Sequence, residues 1–261
     1  MSSTPPPSDD EIVGGLLQQG LDVAYQPIVE LASGDLVGWE ALLRGQLPEH
    51  GALSPLHVVG SATRIGALDT VMRQVAEQAL ATASVASLRL GRSLTVTVNL
   101  EPAQIWPGSP FLQWLIDRSR SCPAQLLLEV TERGEETAWG EDQELALDQL
   151  QEAGLGIAID DLGTGVSRLR LLARREWTWV KLDRGFLLLG DRGLVLLRHT
   201  VAMLHELGTV VLLEGIETEE QLQIARTAGV DLVQGNLLAC PMSSDMLLGH
   251  LADTPSPRAT E

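Results

Sequence analysis

Asp160 and Asp161 stand side by side at the end of a short run of small and apolar residues, Gly156-Ile157-Ala158-Ile159, and lead at once into Leu162-Gly163-Thr164-Gly165. Such a run reads as a buried strand, and the glycines mark a turn directly after it. Neighbouring carboxylates repel each other and resist desolvation, so they need protons, hydrogen-bond donors or cations nearby. A pair of divalent metal ions meets that need most sharply. For an isolated Asp-Asp turn the plainer reading is a helix cap from Asp160 with Asp161 in solvent. The rest of the chain decides against it.

Glu40 within, and Arg44 directly after, the otherwise apolar strand Leu36 to Leu43 interrupt its apolar character, and Lys181 interrupts another strand; burying charge there is costly unless it serves a purpose. Arg44 is four residues after Glu40 and shares its strand face, which suits a clamp on a phosphate. A polar residue recurs where other strands end. Leu94 to Val98 runs into Asn99, Leu126 to Leu128 into Glu129, Trp177 to Val180 into Lys181, Val210 to Leu213 into Glu214, and Asp231 to Val233 into Gln234. Asn99 alone would be an ordinary strand-ending residue. Only its place in the series makes it a candidate ligand. All the candidate metal-binding groups are oxygen donors, which suits Mg²⁺ or Mn²⁺, and no Cys or His among them favours zinc.

The elements that must position these groups alternate. Val23 to Val29 and Leu36 to Leu43 are joined by the short turn Ser33-Gly34-Asp35, which predicts an antiparallel hairpin. Helical periodicity follows from Pro55 to about Ser84, with Ile65, Leu68, Val71, Met72, Val75 and Leu80 on one face. Each later strand precedes a helix: 111–119, 141–152, 167–173, 194–206, 219–228 and 244–251. This pattern predicts an α/β fold, a (β/α)8 TIM-like barrel with an antiparallel first strand, the alternative being an open doubly wound sheet. Polar groups converging on one mouth favour the barrel. Trp177 and Trp179 alternate along their strand, which predicts that one faces the core. His50, His57, His199, His205 and His250 make no ligand spacing.

Composition limits the partners. With 261 residues and a formal charge of -17, the chain lacks the basic surface that duplex nucleic acid or anionic lipid would need. Cys122 and Cys240 make neither a disulfide framework nor a metal pattern, which suits a reducing cytoplasm. No apolar run approaches a membrane span, and no secretory leader is evident. Residues 1–12 and the tail 253–261 read as disordered, leaving one domain over 13–252.

In order along the chain stand Tyr25-Gln26-Pro27-Ile28, Glu40-Ala41-Leu42-Leu43-Arg44, Val98-Asn99-Leu100 and Glu129-Val130-Thr131-Glu132. Asp160-Asp161-Leu162-Gly163-Thr164-Gly165, Lys181-Leu182-Asp183, Glu214-Gly215-Ile216-Glu217-Thr218 and Gln234-Gly235 complete the series. Together these segments resemble the EAL domain, a family of cyclic di-GMP phosphodiesterases, over nearly the whole chain. The resemblance implies hydrolysis of cyclic di-GMP to linear pGpG with two Mg²⁺ or Mn²⁺ ions per site, and Ca²⁺ that binds yet supports turnover poorly. It implies one metal held by Glu40, Asn99, Glu129 and Asp160, with Asp160 bridging to a second served by Asp161 and Glu214. Lys181 would hold the attacking water and Gln234 order a neighbouring one, while Gln26, Arg44, Asp183 and Gln234 would touch substrate. Glu132 is either a brace on the Asp-Asp loop or a solvated helix-start acid. Glu217 is either a support behind the ligands or part of the next helix cap.

The family also implies a homodimer formed near the loop after Asp161, and an upstream sensor domain or partner. Leu162, Val166-Ser167-Arg168 and Asn236 depart from its usual aromatic and serine positions, which bears on affinity and regulation rather than on chemistry. The alternative function is a catalytically silent module that binds cyclic di-GMP and signals to a partner. Silent members typically lose metal carboxylates, and this chain keeps each of them.

Overall fold

Apolar strands that each end in a polar residue build a wall whose interior is dry below and polar at one rim. The structure is a computed structural model that describes residues 7–48, 50–130, 140–163 and 169–253. It opens with helix α1 (Asp9–Gln19), followed by strands β1 (Asp22–Glu30), β2 (Leu36–Leu47) and β3 (Gly51–Leu53) and helices α2 (Pro55–Arg64) and α3 (Leu68–Leu90). Strands and helices then alternate through β4 (Thr95–Leu100), α4 (Pro110–Ser119), β5 (Gln125–Val130), α5 (Glu141–Glu152), β6 (Gly156–Leu162) and α6 (Leu169–Leu172). The chain continues as β7 (Trp179–Leu182), α7 (Gly185–Leu188), α8 (Gly190–Glu206), β8 (Val210–Leu213), α9 (Glu219–Ala228), β9 (Leu232–Val233) and α10 (Ser244–Asp253).

Eight strands close into a barrel in the order β1-β9-β8-β7-β6-β5-β4-β2, with β1 returning to pair with β2 and β3 hanging from the outer end of β2. β1 runs antiparallel to both neighbours, β2 and β9, and the remaining pairs around the barrel are parallel. The predicted barrel with its antiparallel first strand is thus the observed one. Alternation along each strand separates two cores. The larger lies between strands and helices. The smaller, Ile28, Leu127, Ala158, Trp179, Leu212 and Leu232, fills the barrel interior. That inner plug forms a water-poor floor directly beneath the polar strand ends. The strand expected from Trp177 begins only at Trp179, so Trp177 lies just before it and joins the outer core while Trp179 faces the inner one, and both are buried.

The structure departs from the sequence reading in several places. α1 begins at Asp9, so residues 9–12 are ordered rather than part of a loose leader. Ser8 caps the helix in a reciprocal box with Glu11, and Ile12 is fully buried. Asp253 closes α10 rather than opening a loose tail, and residues 254–261 lie outside the described residues. The single helical stretch expected over 55–84 is two helices, because Gly66, at φ 69°, turns the chain between them. β2 runs on to Leu47, where β3 pairs with it. No helix among the described residues is long and apolar enough to cross a membrane.

Candidate functional site

Residues two apart on a strand share a face, and parallel register sets the inward-facing ones at similar heights. Gln26 lies opposite Glu40 in the β1–β2 register, and Asn99 pairs with Glu129 between β4 and β5. Asp160 lies near the end of β6, Lys181 in β7, and Glu214 and Gln234 directly follow β8 and β9. The Glu214 amide donates to the Leu182 carbonyl at 3.0 Å and the Gln234 amide to the Leu213 carbonyl at 3.1 Å, so both residues continue the wall.

Lys181 is the centre of the arrangement. Its Nζ is 2.7 Å from Glu214 Oε1, 2.9 Å from Glu129 Oε2, 3.1 Å from Asp160 Oδ1 and 3.3 Å from Glu40 Oε2, with the side chain only 1% exposed. Gln234 Nε2 donates to Glu40 Oε2 at 2.9 Å and to Gln26 Oε1 at 3.1 Å, and Asn99 Nδ2 donates to Glu40 Oε1 at 3.4 Å. One ammonium therefore faces four carboxylates, an excess of acids that protons or cations must meet.

Adjacent strand residues ordinarily point to opposite faces, yet Asp160 and Asp161 both line the same cavity. A bulge explains it. The β6–β7 register slips between Ile159 and Leu162, and Asp161 takes φ 57°, the one left-handed non-glycine backbone among the described residues. Aspartate tolerates that conformation better than most side chains. The Asp161 amide donates back to Asp160 Oδ1 at 3.0 Å. Carboxylate oxygens of Asp160, Asp161 and Glu214 all lie within 4.8 Å of one another, close enough to share a cation.

The electrostatics follow from burial and crowding. Burial pushes the Glu129 carboxyl well above the usual carboxylate range, Glu40 and Asp160 add to the rise, and Lys181 opposes it. Glu214 is pushed up to about 8, chiefly by burial, with Asp160 and Glu40 adding to the rise and Lys181 again opposing it. Burial works against a charge on Lys181, but Asp160, Glu129, Glu214 and Glu40 together hold its ammonium well above the ordinary lysine range. A carboxyl whose value is raised by folding holds more protons folded than unfolded, so stability is lost as pH rises from its ordinary value through its folded one. For Glu214 that window runs from 4.5 to about 8. In EDTA, the melting temperature of the wild type is expected to fall over this range more steeply than that of Glu214→Gln. Mg²⁺ should flatten the wild-type slope, because cations then compensate the charge that protons otherwise would. Parallel slopes for the two proteins in EDTA would contradict this assignment.

A divalent metal fits the donor set. The ligand atoms are hard oxygens, and Glu129 Oε1 is buried with no hydrogen-bond partner among the described residues; Gln234 Oε1 is in the same position. The mouth opens as a cavity of about 340 Å³ whose lining includes Glu40, Asp160, Asp161, Lys181, Glu214 and Gln234. Gln26, Asp183, Glu217 and Asn236 reach it as well. A second cavity of about 300 Å³ lies between β2, α2 and α3, is largely apolar, and shares Glu40 and Asp160 while adding Asn99.

Arg44 lines neither of these two cavities. Its guanidinium donates to the Leu43 carbonyl at 3.0 Å. Asp183 Oδ1 accepts the Gly185 amide at 2.7 Å, fixing the carboxylate at the rim. Thr218 caps the next helix in a reciprocal box with Gln221, whose Oε1 also accepts the Glu217 amide at 2.7 Å, while the Glu217 side chain reaches toward Arg184. Leu162 is buried in the wall. Glu132 and Val166-Ser167-Arg168 lie outside the described residues. Arg184 was missed by sequence reasoning; its position directly after the Lys-Leu-Asp segment was the available signal.

A family model for the EAL domain matches residues 10–241. The chain is 31% identical over 251 residues to the cyclic di-GMP phosphodiesterase RocR of Pseudomonas aeruginosa, covering 94% of this chain and 63% of that protein. It therefore spans less than two thirds of this relative's length. Among solved structures, the EAL enzyme Bd1971 in its cAMP- and cyclic-di-GMP-bound form matches with a TM-score of 0.82 at 27% identity, over 93% of this chain and 68% of that one. BlrP1 of Klebsiella pneumoniae, in complex with manganese and cyclic di-GMP, matches with a TM-score of 0.70 at 30% identity, over 88% of this chain and 58% of that one.

Proposed function

Because the chain belongs to the EAL domain family, we propose that it hydrolyses cyclic di-GMP to linear pGpG with two divalent cations, Mg²⁺ or Mn²⁺, held by its carboxylates. The observation that carries this reading is the convergence of Glu40, Glu129, Asp160 and Glu214 on one buried ammonium, with Asp161 turned to the same mouth by a bulge. Glu40, Asn99, Glu129 and Asp160 would hold one cation, and Asp160, Asp161 and Glu214 the other. Such ions, when bound, lower the pKa of water and neutralise charge that develops on phosphoryl oxygens.

The protein's own groups do the rest. Lys181 Nζ faces four carboxylates with three N–H donors, and cations that drew some of those oxygens away would free a donor to hold the nucleophilic water. Gln234 spans Glu40 and Gln26 and keeps both in register with the floor. The apolar plug beneath excludes bulk water, which strengthens each electrostatic contact above it. Asp183, locked by the Gly185 amide, presents an acceptor at the rim suited to the N–H edge of a guanine.

Chromatography of a reaction with cyclic di-GMP tests the reading. Linear pGpG is expected to accumulate in Mg²⁺ or Mn²⁺, to stop on chelation, and to form far more slowly in Ca²⁺, which is larger and tolerates irregular coordination. Saturable binding of the dinucleotide with no pGpG under either Mg²⁺ or Mn²⁺ would instead make the chain a receptor that holds cyclic di-GMP without cleaving it.

A further inference from the structure

The cavity at the mouth is crowded with acids, and its substrate, on the reading above, carries two phosphodiester charges. Bound cations and Lys181 would lie under one of those phosphates. The other would face Asp161, Asp183 and Glu217 at the rim. Among the described residues lining this cavity, Arg184 and Lys181 are the two cationic side chains, and Lys181 is buried and committed to four carboxylates. Arg184 is 62% exposed, with Nη1 3.6 Å from Glu217 Oε1, a spacing too loose to consume its donors.

Its placement is built rather than incidental. A Cβ at Gly215 would lie 2.5 Å from Arg184 Cβ and 3.0 Å from Arg184 Cδ, so the arginine stem crosses over this residue because it has no side chain. Gly215 also holds φ 71°, which suits glycine. The stem thus crosses the loop after β8, and the Glu217 carboxylate lies 3.6 Å from the guanidinium. A planar fork of donors matches a phosphate better than a lysine ammonium would.

We infer that Arg184, steered by Gly215 and Glu217, binds the phosphate of the cyclic dinucleotide that is not being cleaved. This rests on the proposed cyclic di-GMP hydrolysis. It gives the site a means of selecting a substrate with two phosphates over one with a single phosphodiester.

Equilibrium binding of cyclic di-GMP in Ca²⁺ and steady-state hydrolysis in Mg²⁺, measured on the wild type, Arg184→Met and Arg184→Lys, test the assignment. Met keeps the stem over Gly215 and deletes the charge, and melting temperatures check that each variant is folded. KM and Kd are expected to rise roughly 10- to 100-fold in Arg184→Met, the usual loss for one charge-assisted contact, while kcat stays within about threefold. Arg184→Lys should recover part of the affinity, and the salt dependence of KM should be shallower in the Met variant. Unchanged KM and Kd in Arg184→Met overturn the assignment, as does a loss of kcat that accompanies a lowered melting temperature. A wild type that neither binds nor hydrolyses cyclic di-GMP overturns the hydrolase reading and this inference with it, which separates the two failures.

Discussion

Replacing Lys181 by Met is expected to remove about 3–5 kcal/mol of stability from the chelated protein and to end turnover. Lys181 is 1% exposed and touches four carboxylates drawn from or adjoining β2, β5, β6 and β8. Without its charge, those groups must either face one another unneutralised or take up protons in a dry setting, and both cost folding free energy. Urea denaturation in EDTA measures the loss. Adding Mg²⁺ should return part of it, since a ligand bound only by the folded state stabilises that state. A Lys181→Met protein as stable as the wild type in EDTA would mean that the carboxylates are neutralised by some other route.

Replacing Glu40 by Gln is expected to have the opposite effect on the chelated fold and the same effect on activity. Glu40 is one of the acids crowding Lys181, and three others remain when it is gone. Removing one negative charge relieves repulsion, so the melting temperature in EDTA should hold or rise. Turnover should fall at least about 10³-fold, because the variant loses an anionic oxygen ligand and with it several kcal/mol of charge stabilisation in the transition state. Loss of the fold together with the activity would assign Glu40 to packing. The contrast in sign between these two variants separates a charge-holding centre from a merely buried ion network, in which each deletion would destabilise.

Much of this was readable from the chain. A strand that ends in a polar residue, repeated around an alternating β and α pattern, fixes both the barrel and the rim on which Glu40, Asn99, Glu129, Asp160, Lys181, Glu214 and Gln234 meet. Strand parity carries that information, because inward positions recur every second residue. Parity says less about height along a strand, as Arg44 illustrates. It shares a face with Glu40, but four residues of strand at about 3.3 Å each set it roughly 13 Å farther along β2, and it lines neither cavity. Parity also gave no hint that Asp160 and Asp161 would both face the cavity, since that depends on a bulge and one left-handed residue set by pairing with β7. Arg184 was hidden for a different reason. Its role depends on Gly215, thirty-one residues later, and only folding brings the stem over that position.

The start of α1 shows the limit of composition. Ser, Pro and Asp in the first residues resemble a disordered leader, yet Ser8 and Glu11 form a reciprocal cap, and Asp9 pairs with Arg64 of α2 at 2.6 Å. Local hydrogen bonding and burial of Ile12, Val13 and Leu16 fix the helix where average polarity suggested none.

Anomalous diffraction from crystals equilibrated with Mn²⁺ tests the claim that the carboxylates at the barrel mouth hold two cations. Two peaks are expected at the barrel mouth, one among Glu40, Asn99, Glu129 and Asp160 and the other beside Asp161 and Glu214. A map with no peak in that cluster, at a Mn²⁺ concentration that supports turnover, would contradict it.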